Sequence, residues 1–445
     1  MNFGILLWLL IILNASMLVW GFSSRQRTYR FPVFAAAVFV GFAIPQLIGL
    51  ANEQSVHTTL REGALDLTAL MSILCLGALW LGDSAGNARP GSMAIQPLSA
   101  FNQNRILMFG FFLMLFGSLI YQVAIQFYSK EDFEALGSQW SGSITIVLFF
   151  VSMSKYGFAI MAYMYFRTKS PAALLCVIAG MLLNVVVFIT GARRADAANT
   201  FFVLILGLFL GRRIVLPSWL LVVIFSVGTL WANSVGEFRG NEDETFLQKL
   251  EHAELIGNFG KILSEGGPEM RNCAWHIYAA NEKMEFDWGG VHWNHLVHAY
   301  FPGQIFGYDL KQSIKFYIPD TPKDVYGYEG PPGSTSTGMA DAFESFWWLG
   351  FLKFYIVGYI MGRWYNRAVR GDLWSQLAFM ALMSPALHTI THHTTWLLVN
   401  YIHMIVFAWP GLAWAKLAVA NVQSQRPVTA ATRAGPQTGL ARNAR

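Results

Sequence analysis

FGILLWLLIILNASMLVWGF, residues 3–22, contains no charged side chain. Its apolar residues surround the whole helix circumference, whereas a helix at the surface of a soluble protein keeps a polar face. A bilayer core about 30 Å thick is crossed by about 20 helical residues that rise 1.5 Å each. This stretch therefore predicts a membrane-spanning helix. It lacks a basic leader and a small-residue cleavage site, so we interpret it as a retained span rather than a signal peptide.

The rest of the chain repeats this pattern. Of its 445 residues, 54% are hydrophobic and only 13% are charged, about half the charged fraction of soluble domains. The sequence predicts an all-α polytopic membrane protein with about 11 transmembrane helices. The predicted spans are 3–22, 31–51, 64–82, 105–127, 143–166, 171–190, 197–211, 215–234, 345–362, 373–390 and 395–417.

Basic residues predict which loops share a side, because Lys and Arg concentrate in short cytoplasmic loops. They flank alternate spans, in 23–30, 89–105, 167–169, 212–213 and 363–370, and in the C-terminal tail. This pattern predicts a periplasmic N-terminus and a cytoplasmic C-terminus. The predicted regions are a transmembrane bundle (1–234), a large periplasmic loop (235–344), three further spans (345–418) and a disordered tail (419–445).

The composition excludes several classes of protein. Cys75 and Cys176 lie inside predicted spans, so Cys273 alone cannot build a disulfide framework or a zinc site. The net charge of +5 comes largely from residues beside spans, and we expect no nucleic-acid partner. The loop 235–344 holds 17 Asp and Glu against 8 Lys and Arg. Its length favours a folded cap over a simple connection.

Three arginines break the charge rule. Arg193 and Arg194, in the turn Gly-Ala-Arg-Arg, fall on the predicted periplasmic side, and so does Arg239 in Glu-Phe-Arg-Gly. Arginine offers a permanent charge and a planar set of donors that suits phosphate. We interpret these residues as candidates for binding a pyrophosphate. The alternatives are that the predicted topology is wrong at Arg193 and Arg194, or that the arginines interact with lipid head groups. For Arg239, a local ion pair with Glu237 is a further alternative.

The end of the large loop, Gly330-Pro-Pro-Gly-Ser-Thr-Ser-Thr-Gly338, is followed by Met-Ala-Asp-Ala-Phe-Glu344. Hydroxyl groups here are candidates for binding sugar, together with an acid: Ser334, Thr335, Thr337 and Asp341. Asp341 and Glu344 are three residues apart, so one helix face could present both carboxylates. An ordinary loop with acids at a helix N-terminus would have the same sequence.

Histidines mark the outer end of the tenth span. His388 and His392 are four residues apart and share a helix face. No third ligand is evident, so the sequence predicts no metal site. We interpret His388 as a phosphate ligand and His392 as a group that moves a proton; a structural role at the interface is the alternative.

Together these features resemble the O-antigen and exopolysaccharide repeat-unit polymerases (Wzy-type). The resemblance rests on the many spans, the outer Gly-Ala-Arg-Arg turn, Glu-Phe-Arg-Gly, and the Ser-Thr-Gly…Glu…Trp-Leu-Gly stretch. It implies a transmembrane bundle of the GT-C polymerase/ligase type with a large periplasmic loop. It also implies a glycosyltransferase of the bacterial inner membrane that is independent of metal and cofactor. Its donor and acceptor would be undecaprenyl-pyrophosphate-linked oligosaccharides. A flippase and a chain-length regulator are the implied partners.

Under this resemblance Arg193, Arg194 and Arg239 correspond to the basic outer residues of the family, and Glu344 to its acidic residue. Arg239 would also stabilise the leaving group, and either Glu344 or His392 would be the catalytic base. An O-antigen ligase shares this architecture and remains an alternative. A lipid-linked oligosaccharide flippase or other transporter is a second one, although such proteins favour repeated halves and short loops. An assembly or scaffold protein without catalytic activity is a third, but it would leave the outer arginines without a purpose.

Overall fold

The computed structural model describes residues 2–53, 63–88, 94–127, 143–191, 194–234, 255–331 and 333–417. Within these ranges the regular structure is helical, apart from one isolated antiparallel bridge between Phe101 and Lys416. The helices of the first part of the chain are α1 (Phe3–Phe22), α2 (Phe31–Val38), α3 (Ile44–Asn52), α4 (Ala64–Ala88), α5 (Gln103–Phe127), α6 (Ser143–Val151), α7 (Met153–Thr168), α8 (Pro171–Gly191), α9 (Arg194–Arg212) and α10 (Ser218–Ser234). A π-helical turn, Phe39–Ala43, joins α2 to α3.

The second part of the chain begins with the large loop and ends with three long helices. Its helices are α11 (Leu255–Glu265), α12 (Pro268–Lys283), α13 (Gly290–Tyr300), α14 (Gly303–Phe306), α15 (Tyr308–Ser313), α16 (Pro322–Tyr326), α17 (Thr337–Phe346), α18 (Phe351–Val369), α19 (Leu373–Thr391) and α20 (Thr395–Ala415). Each of the eleven predicted spans overlaps one of these helices or a pair of consecutive ones, although the helix at 345–362 is α18, which begins only at Phe351. The number of membrane crossings stays a prediction.

Six of the described helical segments are long and apolar enough to cross a membrane. They are Phe3–Phe22, Phe31–Asn52, Ala64–Ala88, Gln103–Phe127, Ile146–Thr168 and Thr395–Ala415. The architecture is that of a helical, multi-pass membrane protein, as the sequence predicted.

Helix α19 is the central helix of the bundle, because nearly all of its residues are buried by other helices. It carries polar side chains that would be costly against lipid. Gln376 shows how they are satisfied: its carbonyl accepts a hydrogen bond from the Tyr163 hydroxyl at 2.5 Å, and its amide donates to the carbonyl of Ala368 at 3.0 Å. Protein surrounds α19, so this helix needs less apolar character than one that faces lipid.

Helices α4 and α18 pack at their backbones through two pairs of glycines. Gly82 and Gly86 on α4 face the carbonyls of α18, and Gly358 and Gly362 on α18 face the carbonyls of α4. A Cβ atom at any of these four positions would collide with backbone. Both pairs have the Gly-x-x-x-Gly spacing that lets membrane helices approach closely. The contact holds α18, which carries a site residue described below, against α4.

We expect Gly358→Leu to destabilise the protein by about 1–3 kcal/mol, since overpacking forces the α4 and α18 backbones apart. Thermal unfolding in detergent measures the effect. Gly77→Leu is the matched control, because Gly77 lies on α4 with open space around its Cβ position. Equal stability of the two variants would contradict this account of the contact.

The described loops lie at two ends of the bundle, and hydrogen bonds join several of them at one end. At this end Arg213 donates to the carbonyl of Val369 at 2.8 Å, and Arg105 donates to that of Trp414 at 3.0 Å. The backbone N–H of Leu373 also donates to the carbonyl of Gln96 at 2.9 Å, which links the two contacts. At the other end the described part of the large loop, α11 to α17, packs on α3, α4, α19 and α20. The described parts of the loops predicted to be cytoplasmic therefore lie together, away from the large loop.

Candidate functional site

Helix α17 carries the acidic residues of the site. A glycine near each of its ends lets the backbone pack closely against a neighbouring carbonyl. At its start Gly338 lies so close to the carbonyl of Thr389 that a Cβ atom would overlap that oxygen. After the end of α17, a Cβ atom at Gly350 would overlap the carbonyl oxygen of Ala342. The Ser-Thr-Gly and Trp-Leu-Gly sequences thus let α17 lie against α19 and turn sharply into α18.

Asp341 lies on the buried face of α17, and its carboxylate is fully enclosed. One carboxylate oxygen, Oδ2, accepts hydrogen bonds from the backbone N–H of Thr394 at 2.9 Å and from its hydroxyl at 2.5 Å. The other, Oδ1, lies 3.4 Å from Nδ1 of His393. The Lys353 ammonium is 3.8 Å from Oδ2. A buried carboxylate with this many polar neighbours joins α17, α18 and the turn before α20.

Lys353 and His292 complete this cluster. The Lys353 ammonium donates to the Ser345 hydroxyl at 2.7 Å and to the carbonyl of Asp341 at 3.2 Å, and its Nζ lies 3.1 Å from Nε2 of His292. Nε2 of His292 also lies 2.7 Å from the Thr394 hydroxyl and 3.5 Å from Oδ2 of Asp341. We call Asp341, Lys353, His292, His393 and Thr394 the Asp341 cluster.

The Asp341 cluster holds charge of both signs. Burial alone would raise the pKa of the Asp341 carboxyl, but Lys353 and the neighbouring histidines outweigh it and hold that pKa well below its ordinary value. Burial lowers the pKa of His292 and of the adjacent His295 to about 4, so both rings are neutral at pH 7. Burial also opposes charge on His393, but contact with Asp341 raises the pKa of its ring above the ordinary value. His393 is therefore the histidine of this cluster that most readily carries a proton.

Glu344 lies one turn further along α17 and pairs with a histidine from α12. Its Oε1 is 2.5 Å from Nδ1 of His276. The two side chains are 28% and 25% exposed, so solvent or a substrate can reach them. A carboxylate that holds one imidazole nitrogen fixes the tautomer of the ring and leaves the other nitrogen to exchange a proton. The His276–Glu344 pair has the composition of a general base.

The chain was compared with protein families, curated proteins and solved structures. No family model, no curated protein and no solved structure matches the chain. The resemblance to repeat-unit polymerases therefore stays a prediction from the sequence.

Of the predicted sugar-binding hydroxyls, those of Ser334 and Thr335 form hydrogen bonds within the protein. The Ser334 hydroxyl accepts a hydrogen bond from the Asn272 amide at 2.9 Å and donates to the carbonyl of Pro331. The Thr335 hydroxyl donates to the carbonyl of Thr391 at 2.6 Å. Thr337 is buried, with a φ of 69°. These contacts tie the 330–338 loop to α12 and to the end of α19.

His388 and His392 meet as their spacing predicted, with ring centroids 5.0 Å apart. The Trp396 ring stacks on His388, with centroids 5.3 Å apart and an interplanar angle of 29°. Nδ1 of His388 donates to the carbonyl of Ser384 at 2.7 Å. His392 directly precedes His393 of the Asp341 cluster, so these stacked rings border the cluster at the C-terminal end of α19.

The predicted pyrophosphate ligands can be placed only in part. Arg193 and Arg239 lie outside the described residues, and so does the tail from 418 onward. The backbone of Arg194 begins α9, but its side chain is not among those described. Their role stays a prediction. Among the described residues, no group of His, Cys, Asp and Glu side chains is arranged to hold a metal ion.

Asp341, Glu344 and the end of α19 were predicted from the sequence as site residues, whereas His276, His292 and Lys353 were not. Lys353 carried a usable signal, because an ionisable residue inside a predicted span indicates a polar partner. His292 and His295 are three residues apart and share a face of α13. His276 carried no local signal: it is 68 positions from Glu344, and only folding brings them together.

Proposed function

We propose that this protein is a membrane glycosyltransferase that polymerises undecaprenyl-pyrophosphate-linked oligosaccharide repeat units at the periplasmic face of the bacterial inner membrane. The observation that carries the proposal is the accessible His276–Glu344 pair next to the buried Asp341 cluster. Both lie at the end of the bundle where the large loop packs. The His276–Glu344 pair would supply a base, and the buried charges of the Asp341 cluster would hold α17 in place near the membrane surface.

In the proposed reaction, the bond between sugar C1 of the donor and the pyrophosphate oxygen breaks, and the pyrophosphate leaves with the electron pair. The acceptor hydroxyl oxygen bonds to C1, and its proton passes to the His276–Glu344 pair. The sequence left either Glu344 or His392 as the catalytic base. We favour Glu344 because its carboxylate has an imidazole partner, His276. General base catalysis by such a pair contributes roughly 10²–10⁴ in rate.

Asp341 has a different role in this proposal. Its carboxylate is fully buried and tied to Thr394, so it positions α17 instead of touching substrate. Negative charge develops on the pyrophosphate as it leaves. In this proposal Arg193, Arg194 and Arg239 stabilise that charge, as the sequence suggested. One such donor contributes about 3 kcal/mol of transition-state stabilisation, roughly a hundredfold in rate.

The proposal is tested by deleting the gene in a strain whose surface polysaccharide forms a ladder on a gel. A polymerase deletion removes long chains and leaves single repeat units attached to the surface. Loss of all surface sugar, with lipid-linked polymer accumulating, would instead indicate a ligase. An unchanged ladder would contradict both.

Complementing the deletion strain tests the assignment of the arginines. We expect Arg193→Ala and Arg239→Ala each to reduce long-chain synthesis about a hundredfold at normal membrane abundance. Arg25→Ala is the matched control, because Arg25 is exposed in a loop that follows α1, at the other end of the bundle. Full ladders from both site variants would remove these arginines from the site.

A further inference from the structure

The part of the large loop that follows α13 carries an unusual share of exposed apolar side chains. We define residues 301–318, which include α14 and α15, as the 301–318 loop. Six of its large apolar side chains are between 49% and 78% exposed: Ile305, Phe306, Tyr308, Leu310, Phe316 and Tyr317. A surface in water rarely collects this many neighbouring apolar groups without a partner.

Helix α13 leads the chain toward the membrane. At its start His292 contacts Thr394, and one turn later Nδ1 of His295 lies 3.1 Å from the Thr395 hydroxyl. At its end the Tyr300 hydroxyl donates to the carbonyl of Val399 at 2.8 Å. Helix α13 therefore runs beside the first turn of α20, from the outer end of that helix toward its middle.

Tyr300 lies below the outer ends of two helices that could cross the membrane. Val399 is about 6 Å along α20 from its first residue, and His403, whose ring is 5.5 Å from that of Tyr300, is about 12 Å along it. The Tyr300 ring is also 6.3 Å from the ring of Phe149, which lies near the outer end of the segment Ile146–Thr168. Two separate spans thus place the end of α13 at membrane depth.

The 301–318 loop begins at that depth and returns outward along α13. On the way back, the carbonyl of Ile314 accepts a hydrogen bond from the Trp293 indole at 2.6 Å, and Phe316 pairs with the Asn294 amide through both its N–H and its carbonyl at 2.9 Å. The 301–318 loop therefore starts at the level of Tyr300, below the outer ends of the spans, and is back at the level of Trp293 by Ile314.

We infer that the 301–318 loop is seated in the outer leaflet of the bilayer, where head groups meet acyl chains. The exposed polar residues Gln304, Asp309 and Gln312 fit this boundary, because an interfacial segment keeps polar groups among its apolar ones. Exposed Tyr and Phe rings suit the same region. The inference depends on the membrane assignment alone and holds whether or not the protein is a glycosyltransferase.

Spin labelling in phospholipid nanodiscs tests this placement. The chain suits single-cysteine labelling, because Cys75 and Cys273 are fully buried and only Cys176 is partly accessible. Labels report collisions with oxygen, which concentrates in lipid, and with a water-soluble nickel chelate, which stays outside it.

In a Cys176→Ala background, labels at Ile305→Cys and Tyr317→Cys should collide with oxygen more than with nickel. Their oxygen-to-nickel ratio should approach that of Phe112→Cys, which is exposed on the apolar span α5, and exceed that of Glu285→Cys in the polar part of the cap. Ratios equal to that at Glu285 would place the loop in water. Low collision with both reagents would show that protein covers it, either another segment or a second copy. Either result overturns the inference, and the two label positions guard against one variant that fails to fold.

Discussion

Asp341→Ala is expected to destabilise the folded protein by about 3–5 kcal/mol, the cost of removing one partner from a buried ion pair. The alanine would leave the Lys353 ammonium, whose side chain is only 13% exposed, without its carboxylate. It would also leave the N–H and hydroxyl of Thr394 without their acceptor. Thermal unfolding in detergent and the amount of protein in the membrane both measure the loss. Asp309→Ala is the matched control, because Asp309 is an exposed carboxylate of the large loop that also contains Asp341. It should change the stability by no more than about 0.5 kcal/mol.

A compensated pair of variants separates charge balance from loss of packing. Asp341→Asn keeps an oxygen acceptor for Thr394 but leaves Lys353 uncompensated. Adding Lys353→Met removes that charge at similar length, so the double variant should be more stable than Asp341→Asn alone. If the double variant is instead the less stable one, the charges of Asp341 and Lys353 do not compensate each other.

The helices of this protein follow from local sequence. Stretches such as 3–22 are apolar on every side, and each such stretch is a helix in the structure. The amino-acid composition of a helix also depends on whether lipid or protein surrounds it. Helix α19 contains serines and a glutamine, which are accommodated because other helices surround it. The close contact of α4 and α18 could also have been predicted, since Gly82 and Gly86, and Gly358 and Gly362, have a recognised spacing.

The site was only partly predictable, because its partners come from distant parts of the chain. The spacing of Asp341 and Glu344 placed both acids on one helix, but it did not show that Asp341 points inward to Thr394 while Glu344 faces His276. These are tertiary contacts across 53 and 68 positions. The hydroxyls of the 330–338 loop illustrate the same limit: Ser334 and Thr335 suit a sugar by residue type, yet in this structure they bond to Asn272, Pro331 and Thr391.

Glu344→Gln is expected to reduce polymer formation by roughly 10²–10⁴ while leaving the protein at normal abundance. Glutamine keeps the shape of the side chain and can still contact His276, but it lacks the negative charge that helps the imidazole take the proton from the acceptor hydroxyl. The Glu344 side chain is 28% exposed, so its neutralisation should cost far less stability than a change at the enclosed Asp341. Incorporation of labelled sugar into long chains in the deletion strain measures the loss.

The His276–Glu344 pair should also behave as one unit. Because Glu344 acts through the imidazole it orients, His276→Gln should lose a similar amount of activity, and the double variant should be no worse than either single one. Glu285→Gln is the matched control, since Glu285 is an exposed carboxylate that follows α12. Losses that multiply in the double variant would mean that the two residues act separately. Full activity in Glu344→Gln would remove the pair as the base and reopen the choice of His392.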